Sequence, residues 1–211
     1  MKQKLFVILS ALFGAVLTIG AKKVKLTIDG VVSPNLTTLY LIVNEDTAHA
    51  QIVPIKDEQF SVTITVDANA FVRLDEDKGM PERCLMVLVP DSRHITVNLR
   101  SFEIKGSPMS KRLNEAINKV REASPEGFHI DVFDEDPKAW EEARVAERSM
   151  REQMLKNQRN ILKDMIMTNK FNNIPAWLVY CNKELFEGEL EMMTRKPMPK
   201  WRKHPILKIE N

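Results

Sequence analysis

The two cysteines are the first residues to consider for chemistry, because a thiolate is both a nucleophile and a metal ligand. Cys84 and Cys181 lie far apart in the sequence. Thiol–disulfide exchange needs a second thiol nearby to release the mixed disulfide. Cys84 begins the apolar run that ends at Val89, and Cys181 lies on the apolar face of a predicted helix. We therefore predict two buried, inert thiols and no catalytic cysteine, with a structural disulfide between them as the alternative in an oxidising compartment.

The histidines are scattered singly, and none lies at a spacing that would place two ligands on one metal ion: His49, His94, His129 and His204. Zinc sites require closely spaced Cys or His ligands. The seven glycines form neither a phosphate-binding loop nor a Gly-x-Ser-x-Gly elbow. We interpret each histidine as a surface residue. The sequence predicts no catalytic, cofactor-binding or metal-binding residue, and hence a protein that is not an enzyme.

An acidic cluster allows two interpretations and comprises Asp131, Asp134, Glu135 and Asp136. A helix–loop–helix calcium site would also need a central glycine and a distal glutamate, which this segment lacks. Aspartate at the start of a helix complements the helix dipole. We therefore favour a solvated segment that caps the helix after Pro137.

Methionines and a basic tail also have two interpretations each. The methionines would line an adaptable groove or pack in the core, and the core is favoured for Met150, Met154, Met165, Met167, Met192 and Met193. The tail would contact anionic lipid or form a solvated linker, and it contains Arg195, Lys196, Lys200, Trp201, Arg202 and Lys203. Because its prolines prevent a continuous amphipathic helix, we favour the solvated linker.

The segment from Val24 to Lys105 must supply the scaffold for any site in the first half of the chain. Apolar and polar residues alternate there with period two, which predicts half-buried antiparallel strands separated by turn residues. The predicted strands are Val24–Asp29, Thr38–Val43, Ala50–Ile55, Ser61–Val66, Phe71–Asp75, Leu85–Val89, Ile95–Arg100 and Phe102–Lys105. Short strands at this spacing favour a β-sandwich-like domain over residues 22–106.

Residues 107–211 change to helical spacing. Ser107 and Pro108 predict the start of one helix, and a long helix is expected over Lys138–Thr168. A third helix is expected near Asn173, and a short one after Gly188. The apolar stripe of the long helix comprises Trp140, Ala143, Met150, Met154, Ile161, Met165 and Ile166. The fold class is therefore α+β, an antiparallel β-sandwich-like domain followed by a helical region.

The first 21 residues predict export. A basic start with Lys2 and Lys4 precedes an apolar run from Leu5 to Ile19, and small residues follow, which is the order of a cleaved secretory signal. An uncleaved membrane anchor is the alternative, although the run is short for spanning a bilayer. The full chain has 31 basic and 29 acidic residues. Removal of this segment takes away Lys2 and Lys4, which leaves 29 residues of each sign. A neutral chain argues against nucleic-acid binding.

Several short motifs resemble a domain of unknown function from Bacteroidetes that precedes thioredoxin-like domains of the thiol-peroxidase and disulfide-reductase type. The matching stretches are Asp57–Phe60, Val89–Val97, Gly106–Pro108, Asn173–Trp177 and Lys203–Pro205. At Glu58 the family usually has a turn glycine. The resemblance implies an exported protein of the periplasm or cell envelope, here with the helical linker but without the thioredoxin domain.

Three functions are compatible with these patterns. The favoured one is a non-enzymatic binding or scaffolding module with protein partners in the envelope, and with no membrane span once the signal is removed. The second is an accessory partner of a separate thioredoxin-like oxidoreductase. The third is a degenerate or truncated relative with little activity of its own. The ligand, the partner and the oligomeric state are not determined by the sequence.

Cleavage of the signal makes a direct prediction. Protein isolated from the native host should begin at Ala21 or Lys22, because the small residues Gly20 and Ala21 follow the apolar run. Mass spectrometry of the intact protein measures this terminus. A chain that retains Met1 in a cytoplasmic fraction would contradict export.

Overall fold

The computed structural model describes residues 22–79, 84–125, 130, 137–186 and 200–208. The described residues of the first half contain eight strands, one for each predicted strand. Their bounds are β1 Lys23–Val31, β2 Leu39–Val43, β3 Gln51–Val53, β4 Gln59–Asp67, β5 Val72–Asp75, β6 Met86–Leu88, β7 His94–Asn98 and β8 Glu103–Lys105. Helices follow in the second half. The predicted α+β class is therefore confirmed.

The strands form two four-stranded sheets. The first has the order β4-β1-β7-β8 and the second has the order β3-β2-β5-β6. The prediction of wholly antiparallel pairing is wrong at one place, because β1 and β7 run parallel. Between them the chain passes twice through the second sheet and returns in the same direction as β1. Alternation cannot reveal this, since half-buried parallel and antiparallel strands have the same period.

Both sheets turn one face toward a common core. Leu26 and Ile28 of β1 are fully buried, while the intervening Lys25 and Thr27 lie on the outer face. Leu41 and Leu74 of the second sheet belong to the same buried cluster. Burial of such side chains contributes about 1.5–3 kcal/mol each. The second sheet is buried on both faces at β5 and β6, whereas the outer face of the first sheet remains polar.

The turn before β4 is formed without the glycine that the resemblance implies at position 58. Asp57 and Glu58 both have positive φ, 51° and 60°, and Lys56 and Gln59 exchange backbone hydrogen bonds across them. This is the geometry of a two-residue hairpin that favours glycine. The Glu58 carboxylate contacts the guanidinium of Arg100. The turn is therefore formed without glycine, with an ion pair next to it.

Helix α1 (Pro108–Glu122) is tied to the first half of the chain at its start. Gly106 has a φ of 85°, and a Cβ there would lie 2.6 Å from the carbonyl oxygen of His94, so only glycine fits. The Ser107 hydroxyl accepts a hydrogen bond from the Ser110 amide at 3.1 Å, which confirms the predicted N-cap. Asp91 also accepts a bond from the Met109 amide at 2.9 Å. The joint between the two halves is thus held by specific polar contacts.

Helices α2 (Pro137–Thr168) and α3 (Ile174–Cys181) confirm the other two predicted helices of the described chain. Together with α1 they form a second buried cluster that also includes Phe71, Val87 and Val89 of the β half. None of the described helices combines the length and apolar character needed to cross a membrane. The short helix expected after Gly188 lies outside the described residues.

The predicted apolar stripe of α2 is buried only toward its C-terminal end. The buried positions are Gln158, Leu162 and Ile166, whereas Trp140 is 49% exposed. The prediction is therefore wrong for the N-terminal half. The reason is length: α2 has 32 residues and α1 has 15, or about 48 Å against about 22 Å at 1.5 Å per residue. Much of α2 extends beyond its neighbour.

The tail corrects a third prediction. Two short 3-10 helices, Lys200–Lys203 and Pro205–Lys208, contain the buried residues Trp201 and Ile206 and pack against α3. The solvated-linker interpretation is therefore wrong for residues 200–208. Proline prevents a long helix, but short turns still place the apolar side chains on one side. Arg195 and Lys196 lie outside the described residues.

Trp177 of α3 provides a test of the helical core. It is 1% exposed and packs against Phe71 with ring centroids 5.3 Å apart. Trp177→Ala should lower the free energy of unfolding by about 3–5 kcal/mol, since it removes a large buried side chain. Trp140→Ala, on the exposed half of α2, is the matched control and should cost about 1 kcal/mol or less. Equal losses in urea unfolding would contradict this core.

Candidate binding groove

The cysteines lie where thiol chemistry is disfavoured. The structure places no disulfide between them; Cys84 is buried and Cys181 is half-buried. Burial raises the pKa of Cys84 to about 12, and the charge of Asp75 adds to this shift. Since the thiolate is the reactive form, Cys84 is unreactive at neutral pH. The prediction of two buried thiols is confirmed for Cys84 and is wrong for Cys181, which is only half-buried.

A buried ion-pair cluster next to Cys84 was not predicted. Arg73 is fully buried; its Nε donates to Glu45 at 3.0 Å and its Nη1 donates to Asp75 at 2.6 Å. Burial raises the pKa of Asp75, and the adjacent guanidinium only partly opposes the shift. Removing one partner would leave a buried charge, which is strongly destabilising. The cluster is enclosed within the fold and has the character of a structural element.

The histidines differ in burial. His49 and His94 are exposed, and each has a ring nitrogen within hydrogen-bond distance of an aspartate, Asp46 at 2.8 Å and Asp29 at 2.6 Å. His204 is buried, so the surface interpretation is wrong there. The tail around His204 is basic and contains prolines, and it has no apolar pattern that would predict a buried histidine. His129 lies outside the described residues.

His204 is held in its neutral form by two hydrogen bonds. Its Nδ1 accepts from the Ile206 amide at 3.2 Å, which requires an unprotonated nitrogen. Its Nε2 lies 2.5 Å from the Asn69 carbonyl oxygen and is therefore the donor. Burial lowers the pKa of His204, opposed by the bond to Asn69. Protonation would remove the acceptor and place a charge in the core.

The other singled-out residues do not converge on a site. Met154 and Met165 are half-buried, whereas Met150 and Met167 are exposed, so core packing is wrong for the exposed pair. Outside the described residues lie the acidic cluster of residues 131–136, Met192 and Met193. In the part of the chain that the structure describes, no group of three acidic, His or Cys side chains is placed to hold a metal ion.

The outer face of the first sheet carries a groove of about 790 Å³. Outward side chains form two rows across its four strands. The first row consists of directly paired residues on β4, β1, β7 and β8, namely Ser61, Asp29, Thr96 and Lys105. The second row, two residues along each strand, consists of Gln59, Val31, Asn98 and Glu103. Every side chain but one is polar. Each row is about 14 Å long and the rows lie about 7 Å apart, from ordinary strand spacing.

Asp29 is the best-oriented side chain of the groove. A hydrogen bond from Ser61, then one from His94 and the charge of that imidazole, hold the pKa of Asp29 below its ordinary value. The carboxylate is therefore ionised at neutral pH and lies between the serine and the histidine. A nucleophilic triad has the opposite order, with the imidazole between serine and carboxylate. The arrangement orients a hydrogen-bond acceptor and does not activate Ser61.

The hairpin before β4 lines the groove with Pro54, Lys56 and Asp57. Arg100 stabilises this hairpin, because its guanidinium contacts Glu58 and donates a hydrogen bond to the Val32 carbonyl oxygen at 2.7 Å. The Asn98 side chain accepts from the Arg100 amide at 2.9 Å, which orients it at the end of β7. The lining is therefore held by backbone pairing and turn contacts.

Sequence reasoning found the strands that carry this groove but not the groove itself. The alternation of apolar and polar residues indicates which side chains are buried, and it also specifies which side chains point outward. Which outward residues become neighbours depends on the order of strands in the sheet. The chain matches no protein-family model, and no curated protein matches it.

The environment of His204 predicts acid sensitivity. A histidine in the unfolded chain titrates near pH 6.5, whereas His204 in the folded chain titrates at lower pH. As the pH falls below about 6.5, the unfolded chain therefore binds more protons than the folded chain. The contribution of His204 to the free energy of unfolding should therefore be fully present above about pH 6.5. Below that pH it should decline, by at most about 1.4 kcal/mol per pH unit, until the pH reaches the pKa of His204 in the folded state.

Urea unfolding of wild type, His204→Gln and His49→Gln between about pH 5 and pH 7.5 measures this decline. His204→Gln should remove the part due to His204, whereas exposed His49→Gln should retain it. An unchanged slope in His204→Gln would contradict the assignment.

Proposed function

We propose that the protein is an exported, non-enzymatic binding module of the cell envelope, with the groove on the first sheet as its ligand surface. The observation that carries the proposal is the double row of paired polar side chains across four strands. Such a face supplies oriented hydrogen-bonding groups on a rigid scaffold, which is what non-covalent recognition requires. The export signal predicted over residues 1–21 supports the location.

The chemistry of the groove supports binding over catalysis. Asp29 accepts hydrogen bonds from both neighbours, so its contacts do not make Ser61 a nucleophile. The raised pKa of Cys84 argues against a thiolate mechanism at neutral pH. A binding role needs neither group to react.

A second candidate function is an accessory partner of a separate thioredoxin-like oxidoreductase. The exposed half of α2 favours it, because Val145 and Met150 present apolar side chains to solvent. Exposed apolar side chains on one element are a feature of protein-contact surfaces. The family resemblance points to the same kind of partner. On this hypothesis α2, and not the groove, makes the contact.

Affinity capture from an envelope extract tests both candidates. The mature protein serves as bait beside three variants: Ser61→Ala with Thr96→Val in the groove, Val145→Glu with Met150→Glu on α2, and Thr65→Val as control. Thr65 is an exposed threonine on the same face of β4 that does not line the groove. Captured material should be lost with the groove variant and kept with the control.

Loss with the α2 variant alone, together with capture of a thioredoxin-like protein, would replace the favoured proposal by the accessory role. Captured material that is unaffected by either variant would contradict both. Equal melting temperatures of the four proteins establish that the changes act on binding and not on folding.

A further inference from the structure

The charges that line the groove nearly cancel. The three carboxylates are Asp29, Asp57 and Glu103, and the two ammonium groups are Lys56 and Lys105. A polyanion or a polycation would meet repulsive as well as attractive groups on this surface. A ligand with formal charge therefore gains little from the groove, and charge balance favours a neutral one.

Apolar ligands are also poorly matched. Phe60 and Val97 line the groove but are almost completely buried, so they present little side-chain surface to a ligand. The remaining apolar side chains are the half-buried Val31 and the exposed Pro54. Pockets for drug-like ligands are lined predominantly by hydrophobic and aromatic side chains. Hydrogen bonding must therefore supply most of the recognition.

The hydrogen-bonding groups are of both kinds and are interspersed. The Asp29 and Glu103 carboxylates only accept, and the Lys105 ammonium only donates. Hydroxyls and amides that do both lie in the same two rows, on Ser61, Thr96, Gln59 and Asn98. A hydroxyl group can satisfy each of these partners, since it donates to a carboxylate and accepts from an ammonium. A ligand rich in hydroxyls is the chemical complement of this surface.

We infer that the groove binds a neutral oligosaccharide along the two rows of side chains. The inference rests on the proposed binding function and names the ligand class of the same site. A row of about 14 Å spans all four strands, which is long for a single sugar ring and suits a short chain. Asp29, oriented by Ser61 and His94, would accept from ligand hydroxyls at the centre of the first row.

An extended peptide is the main competing occupant. It would add through its backbone to an edge strand of the sheet, β4 or β8, as in β-augmentation. β8 has only three residues and β4 has nine, and a peptide at either edge would lie beside the sheet and outside the two rows of side chains. The groove instead lies on the face of the sheet, where side chains and not backbone groups are exposed.

The test uses the protein in the form isolated from the host envelope. Cellohexaose, maltohexaose and chitohexaose are titrated as neutral oligosaccharides, and a neutral hexapeptide of serine and threonine as the competing probe. Binding is followed by calorimetry up to about 10 mM ligand, since a shallow polar groove is expected to bind weakly. The proteins are wild type, Ser61→Ala with Thr96→Val, and Thr65→Val.

Wild type should bind at least one oligosaccharide. The groove variant should bind about tenfold more weakly, because each lost hydroxyl removes one hydrogen bond. Thr65→Val, which makes the same chemical change outside the groove, should bind like wild type. Equal melting temperatures exclude a folding defect.

Binding of the peptide in place of every oligosaccharide, with loss in the groove variant, overturns the ligand class and leaves the proposed binding function intact. Oligosaccharide binding that survives the groove variant overturns the site. If no probe binds, the oligosaccharide inference fails, and the envelope capture experiment then decides separately whether the groove binds anything.

Discussion

The packing around Phe71 is the interaction on which the two halves of the molecule depend. Its ring lies 5.3 Å from that of Trp177 in α3 and 4.8 Å from the imidazole of His204 in the tail. Phe71 precedes β5, so one side chain joins the β half, the last helix and the tail. The Phe71 amide is held in turn by a hydrogen bond to the Asn44 side chain at 2.9 Å. Loss of this centre would separate the elements that enclose the second core.

Among the described residues, the helices pack against β6 and β8 and against the residues around Phe71. Polar side chains on the outer face of β4, β1 and β7, such as Ser61 and Thr96, are exposed there. That face therefore keeps its polar side chains available for a ligand. The proposed recognition surface lies outside both buried clusters, so changes such as Thr96→Val on the outer face should leave the core intact.

Buried polar groups make the fold specific at a cost in desolvation. Arg73 is enclosed with Glu45 and Asp75, and His204 with backbone partners of two segments. Their hydrogen bonds are directional, so they select one arrangement of the surrounding apolar residues, whereas apolar contacts tolerate several. The sequence does not indicate burial of either group, because Arg73 is a charged residue of a predicted strand and His204 lies in a basic tail.

The sequence by itself determined all eight strands and the three α-helices of the described chain, because period-two alternation, Ser107 at an N-cap and helical spacing are local signals. Tertiary structure alone decided the parallel pairing of β1 with β7, the exposure of Trp140 and the burial of His204. It also brought Asp29 beside Thr96, and so made the groove. These features depend on which distant segments meet, and a side chain's own neighbours in sequence do not specify that contact.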